Sequence, residues 1–273
     1  MLSRASRILT YGLAVLYTVT GAILFVLPES MAPVFAWKVT PFMTMTIGGW
    51  CLGNAWLAWI TSRRWQWRLV YTALLYLWIF GLLEAAVLIA FRANLRLAHP
   101  IAWIYVATLT VNVLAALVGL WDWYRIRPGG EPLGEPAGRF SRIATIAFVL
   151  FVGGLGVYGM LAQVGATGTS GGIFPEVMSP FTLRSFGAFY LTIALAAVPL
   201  LAQARLGPGL HHAFASYGLI VFITLAAFVY LQAFDFVHRP GGLLYFAAYL
   251  VVGIPLLFVF RRLGTGAPVS SGG

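Results

Sequence analysis

The chain has 273 residues, of which 61% are hydrophobic and 9% are charged, and its formal net charge is +10. A typical soluble domain is about one quarter charged, so this composition excludes an ordinary soluble fold and makes the lipid bilayer the solvent for most of the surface. The basic residues are scattered between apolar segments and form no basic stripe, which argues against a nucleic-acid partner. The one cysteine, Cys51, allows neither an internal disulfide nor a cysteine-based metal site within the chain.

Eight apolar segments approach the ~20 residues that a helix needs to cross the hydrocarbon layer. They lack the two-residue alternation of barrel strands, so helices are favoured. The first follows a short basic stretch and is longer than a typical signal core, so we expect a retained membrane helix. The sequence therefore predicts an all-α integral membrane protein with eight transmembrane helices. The approximate spans are 8–27, 41–61, 69–91, 101–124, 142–163, 180–202, 212–233 and 241–260.

The basic residues between these segments predict an orientation. With the N-terminus placed in the cytoplasm, most of the arginines fall in inner loops, as the positive-inside rule requires. Eight crossings then bring both termini and the polar stretch after the fourth segment to the cytoplasmic side. We expect a multi-pass protein of the cell (cytoplasmic) membrane, with this stretch as a solvated connector.

The two halves of the chain resemble each other at a spacing of about 140 residues, a period that indicates duplication of a supersecondary unit. Because four crossings per half is an even number, the halves should share one orientation and be related by an axis along the membrane normal. The matching features are Thr40-Pro41-Phe42 with Ser179-Pro180-Phe181, Gly21 with Gly156, and His99 and Tyr105 with His238 and Tyr245. We expect a first four-helix repeat at 1–127, a cytoplasmic linker at 128–140, a second repeat at 141–263 and a flexible tail at 264–273.

The halves differ in composition in a way that bears on function. All ten tryptophans lie between Trp37 and Trp123, in the first half. The one acid well inside an apolar segment, Glu84, is also there, and its counterpart in the second half lies near Thr224. If a single site carries the function, composition places it in the first half.

Glu84 is the strongest candidate for a functional residue, because a carboxylate inside the bilayer is costly unless it is protonated or paired. Two interpretations stay open: a site for a proton, a cation or a ligand headgroup, or a protonated acid that joins the third and fourth helices. Polar residues at similar depth, with an aromatic neighbour, complete the candidate ligand-binding set. The set is Glu84, Asn54, Tyr105, Thr108, Asn112 and Trp50.

A second polar group is expected on the outer face. Histidines with carboxylates can bind a divalent metal, but only Asp235 and His238 have helical spacing, so surface ion pairs are favoured and no metal site is predicted. No catalytic motif is present in the sequence, and no catalytic residue is predicted. The outer-face polar cluster comprises Arg92, His99, Glu176, Arg184, Asp235 and His238.

These features favour a non-catalytic membrane subunit that packs against other membrane proteins, or against copies of itself, and that holds lipid, quinone or pigment. A groove lined by Trp50, Trp56, Trp59 and Trp78 is one place for such a molecule. The alternative is a transporter or channel for a small or amphipathic molecule, in which Glu84 reaches a polar cavity between the halves. A membrane enzyme acting on lipid-like substrates is the third hypothesis, and it requires the outer histidines to share a pocket.

Overall fold

The computed structural model describes residues 1–163, 178–203, 205–238 and 241–263, and the predicted tail at 264–273 lies outside them. Within these ranges the chain is helical, and two residues, Pro136 and Arg205, form an isolated β-bridge. Each of the eight predicted segments corresponds to one long helix. The helices are α1 Arg4–Val26, α2 Pro41–Arg63, α3 Trp67–Ala90, α4 Pro100–Ile126, α5 Arg139–Leu161, α6 Pro180–Gln203, α7 Leu206–Val229 and α8 Gly241–Leu263.

Six of these helices, α1 and α3 to α7, are long and apolar enough to cross a membrane by length and composition. The chain is thus a helical, membrane-embedded protein.

Two helices begin as their sequences predict, with a hydroxyl side chain before proline. The Thr40 hydroxyl accepts a hydrogen bond from the backbone N–H of Met43 at 3.2 Å. The Ser179 hydroxyl likewise accepts from the N–H of Thr182 at 3.2 Å. Each cap satisfies a donor of the first turn, and the proline that follows has no donor to satisfy.

Glycines allow very close packing of α1 on α2 and of α5 on α6. A Cβ on Gly21 would lie 2.7 Å from the backbone nitrogen of Leu52, and a Cβ on Gly156 would overlap that of Leu191. Across the two halves, α2 packs on α7, and α3 packs on both α6 and α7. The central helices α2, α3, α6 and α7 therefore form the junction between the halves.

The linker is more than the solvated connector that we expected. The N–H of Leu133 donates to the carbonyl of Arg68 at 3.4 Å, and the N–H of Gly207 donates to the carbonyl of Leu133 at 3.0 Å. The N–H of Leu206 donates to the carbonyl of Glu135 at 2.9 Å. Main-chain bonds thus fix the linker across the starts of α3 and α7, at what we call the linker end of the bundle.

Candidate functional site

Glu84 lies on α3 at the junction of the two halves, with none of its surface exposed. Its Oε1 accepts hydrogen bonds from the Tyr105 hydroxyl on α4 and from the Ser185 hydroxyl on α6, both at 2.9 Å. Within the part of the chain that the structure describes, its Oε2 has no hydrogen-bond partner. The contact with Tyr105 is the one that the sequence suggested, whereas the contact with the second half was not expected. Glu84 therefore links three helices and both halves.

The segment between α1 and α2 covers this site at the end opposite the linker. Trp37 is buried, and its ring stacks on Phe181 of α6 with the centroids 4.3 Å apart. Its indole N–H donates to the Thr182 hydroxyl at 3.1 Å. The same ring meets Tyr105 edge to face at 5.4 Å. Trp37, which we call the plug, thus packs against Tyr105, the residue that donates to Glu84.

The two predicted amide residues bind neighbouring helices. Asn54 is fully buried and accepts from the Tyr76 hydroxyl at 2.8 Å, which links α2 to α3. Asn112 is also fully buried and donates from Nδ2 to the Tyr17 hydroxyl at 2.8 Å, which links α4 to α1. Such interhelical bonds contribute about 0.6–2 kcal/mol each in a membrane protein.

Thr108 and Trp50 are likewise held by neighbouring helices. The Thr108 and Thr20 hydroxyls lie 2.8 Å apart and link α4 to α1. Trp50 stacks on Phe189 of α6 with the centroids 4.7 Å apart, across the junction of the halves. Every member of the predicted ligand-binding set therefore also has a structural role.

Four members of that set, Trp50, Asn54, Tyr105 and Thr108, line one small cavity together with Cys51 and others. Its volume is about 10 Å³, room for about one water molecule. The cavity lies among α1, α2, α3 and α4, within the first half, whereas the transporter hypothesis expects one between the halves. Small-molecule pockets in proteins are about 300–1,000 Å³, so this cavity holds no ligand of that size.

The outer-face residues are dispersed. Arg184 on α6 donates to the carbonyls of Gly159 and Ala162, at 2.8 and 2.7 Å, and so caps the end of α5. Arg92 and His99 are exposed in and beside the loop between α3 and α4. Glu176 lies outside the described residues.

Asp235 and His238 form a local pair, with the His238 ring 2.9 Å from the carboxylate. The backbone N–H and the ring of His238 hold the pKa of Asp235 below its usual value. Among the described residues His99 does not join this pair, and no group of three His, Cys, Asp or Glu side chains could hold a metal ion.

A larger groove, which we call the linker groove, opens at the linker end and was not predicted. It has a volume of about 360 Å³ and lies between α3, α4 and α6, with the linker alongside. Its lining is Trp67, Arg68, Tyr71, Leu75, Leu120, Trp123, Pro128, Gly130, Pro132, Pro199 and Gln203.

Three polar side chains line the linker groove, those of Arg68, Tyr71 and Gln203. Tyr71 is 4% exposed, and its hydroxyl has no hydrogen-bond partner among the described residues. Arg68 is exposed and donates from Nε to the carbonyl of Glu131. The sequence does contain a signal for this site, because Trp67, Tyr71 and Leu75 share one face of a helix at four-residue spacing. The linker, which completes the groove, has no such signal.

The four tryptophans that were expected to share a groove lie in different surroundings. Trp56 donates from its indole N–H to the carbonyl of Phe214 on α7 at 3.2 Å. Trp59 meets Tyr11 of α1 edge to face. Trp50 is buried in the junction of the halves, and Trp78 is buried against Gly119 of α4.

Comparison with known proteins adds no further constraint on function. No protein-family model, curated protein or solved structure matches the chain.

Proposed function

We propose that the protein is a non-catalytic integral membrane protein that binds a lipid-like molecule and packs as a subunit against other membrane proteins or against itself. The observation that carries this proposal is the linker groove. It combines a ligand-sized volume, an apolar and aromatic lining, and polar groups at one end only. A groove that is polar at one end and apolar along the rest suits a molecule with one polar and one apolar end.

The buried polar groups of the first half support a rigid role for the membrane interior. Glu84, Asn54 and Asn112 bind hydroxyl groups on neighbouring helices, and the cavity that Asn54 lines has room for about one water. Packed interiors of this kind resist deformation and favour one arrangement of the helices. A rigid scaffold that presents a binding groove is consistent with an accessory or binding role.

We further propose that the chain crosses the cytoplasmic membrane eight times, as two parallel four-helix repeats with both termini in the cytoplasm. The equivalent glycine contacts of α1 with α2 and of α5 with α6 support the repeat. The distribution of arginine supports the orientation.

Cysteine labelling tests this topology. In a Cys51→Ala background, Gly129→Cys in the linker should react with a membrane-impermeant maleimide only after the cytoplasmic face is opened. Ala98→Cys, in the exposed loop between α3 and α4, should react in intact cells or spheroplasts. Both residues reacting from the same side would overturn the eight-crossing topology.

Native purification tests the function directly. The full chain is extracted in mild detergent and analysed by native mass spectrometry for lipids, quinones, pigments and protein partners. We expect a bound lipid-like molecule, a protein partner or both. A monomeric chain that is free of ligand and stable alone would contradict the proposal.

A transporter or channel for a small or amphipathic molecule is the second candidate. One observation favours it: the Glu84 Oε2 atom has no partner among the residues that the structure describes, and Glu84 bridges the two halves. Flux in liposomes that depends on this carboxyl group would replace our first proposal.

A further inference from the structure

We propose that the linker groove is a binding site for an anionic phospholipid, whose phosphate is held by Arg68 and whose acyl ester is held by the Tyr71 hydroxyl. This inference rests on the proposed binding function and names its ligand. Along α3 the groove presents a cation, then a hydroxyl group and then an apolar wall. A phospholipid presents the complementary groups in the same order: a phosphate, an ester and an acyl chain.

The first group is a cation at the mouth of the groove. Arg68 uses Nε for the Glu131 carbonyl, and no carboxylate pairs with it among the described residues. The Glu131 carboxylate is instead 3.0 Å from the guanidinium of Arg205. The terminal nitrogens of Arg68 therefore remain available, and a guanidinium matches the oxygens of a phosphate. The N-terminus of α3 lies here too, and its dipole also favours an anion.

The second group is a buried hydroxyl one turn deeper. Tyr71 follows Arg68 by three residues, about 4.5 Å along a helix axis. Its hydroxyl is buried, and no described residue binds it, so a ligand acceptor would offset the cost of its desolvation. The ester carbonyls of a phospholipid lie at a similar distance below its phosphate and are acceptors.

The third part of the groove is apolar. Beyond Tyr71 the lining continues for about 6 Å along α3 to Leu75, and Leu120 of α4 and Pro199 of α6 face the same space. Pro199 lies inside its helix and lacks the N–H that would continue the hydrogen-bond ladder, which favours a local distortion of α6. An acyl chain fits this wall, whereas a free phosphate or a soluble anion would leave it uncovered.

Titration of the full chain with two lipids of identical acyl chains tests the proposal. Native mass spectrometry compares dioleoyl-phosphatidylglycerol with dioleoyl-phosphatidylcholine for the wild type and for the variants Arg68→Gln and Tyr71→Phe. Wild type should prefer the anionic lipid. Arg68→Gln should weaken its binding about tenfold and remove the preference, because a charge-assisted bond is lost. Tyr71→Phe should weaken both lipids about equally, by roughly two- to tenfold, because both carry esters.

The matched controls are Arg63→Gln, at the same end but outside the groove lining, and Tyr124→Phe, an exposed tyrosine near the end of α4. Both should bind like wild type. A phospholipid with a photoreactive group on its acyl chain should crosslink to peptides that contain Leu75 and Leu120.

The possible results separate this inference from the proposed function. Crosslinks elsewhere, or an unchanged lipid preference in Arg68→Gln, would overturn the assignment to the groove while a binding role could stand. The absence of any bound lipid, other ligand or partner from the wild type would overturn both.

Discussion

At the scale of single residues, Glu84 shows how a costly group can be accommodated in a membrane interior. Its Oε1 receives two hydroxyl donors, from Tyr105 and Ser185. Both donors come from helices other than its own, so the carboxyl group stabilises the association of α3, α4 and α6. The structural and transport roles of Glu84 differ in what they predict for Glu84→Gln, its neutral isostere. A transport role predicts that this variant loses flux, whereas a structural role predicts no such loss.

We expect Glu84→Gln to fold with less than about 1 kcal/mol loss of stability, because the amide oxygen still accepts from both hydroxyls. Glu84→Ala should lose about 2–4 kcal/mol, because two buried donors become unpaired. Thermal unfolding in detergent measures both changes. Ser185→Ala is the control, with about 0.6–2 kcal/mol lost for one interhelical bond. If Glu84→Gln abolishes flux in liposomes while stability is unchanged, the transport hypothesis replaces the structural one.

Between pairs of helices, glycines make very close contacts in both halves. Gly48 on α2 would place a Cβ 2.6 Å from the backbone nitrogen of Phe25 on α1. Gly187 on α6 would place one 2.5 Å from the backbone nitrogen of Met160 on α5. Both contacts involve backbone atoms, which have little freedom to move away. The two helix pairs therefore depend on the same kind of contact.

We expect Gly48→Ala and Gly187→Ala each to lower the free energy of unfolding by about 1–3 kcal/mol, the usual cost of overpacking. Gly12→Ala is the control, because a Cβ there meets no atom of the described residues within 4 Å, and alanine should be neutral or stabilising. Equilibrium unfolding in mixed micelles measures the three variants. A large loss for one interface and none for the other would argue against equivalent packing in the two halves.

The Trp37 plug closes the end of the helix bundle above Tyr105. Cys51 lines the cavity below and is buried, so it should resist thiol reagents. We expect Trp37→Ala to make Cys51 react faster with a small methanethiosulfonate, as followed by intact mass. Trp103→Ala, an exposed tryptophan near the same end, should leave Cys51 protected. Equal reactivity in wild type and Trp37→Ala would show that the plug does not control access.

Across the whole molecule, the sequence predicts the helices well. The length of an apolar segment and the residues that cap it can both be read from neighbouring positions in the chain. Thr40 before Pro41 marks a helix start in the sequence and in the structure. The contact of Glu84 with Tyr105 could be anticipated, because consecutive antiparallel helices return residues to similar depth. The contact with Ser185 could not, since helix periodicity does not specify which helices of the two halves meet. The linker groove was missed for the same reason: its walls come from three helices and the linker.

Because of where the tryptophans lie, their intrinsic fluorescence reports on how the two halves unfold. All ten lie in the first half, so the second half contributes no indole emission. Trp37 and Trp50 nevertheless stack on Phe181 and Phe189 of the second half. Their fluorescence should therefore change when the halves separate, even while the helices persist. If the emission shifts at a lower denaturant concentration than the circular dichroism signal, the halves separate before their helices unfold. Coincident transitions would indicate a single cooperative unit.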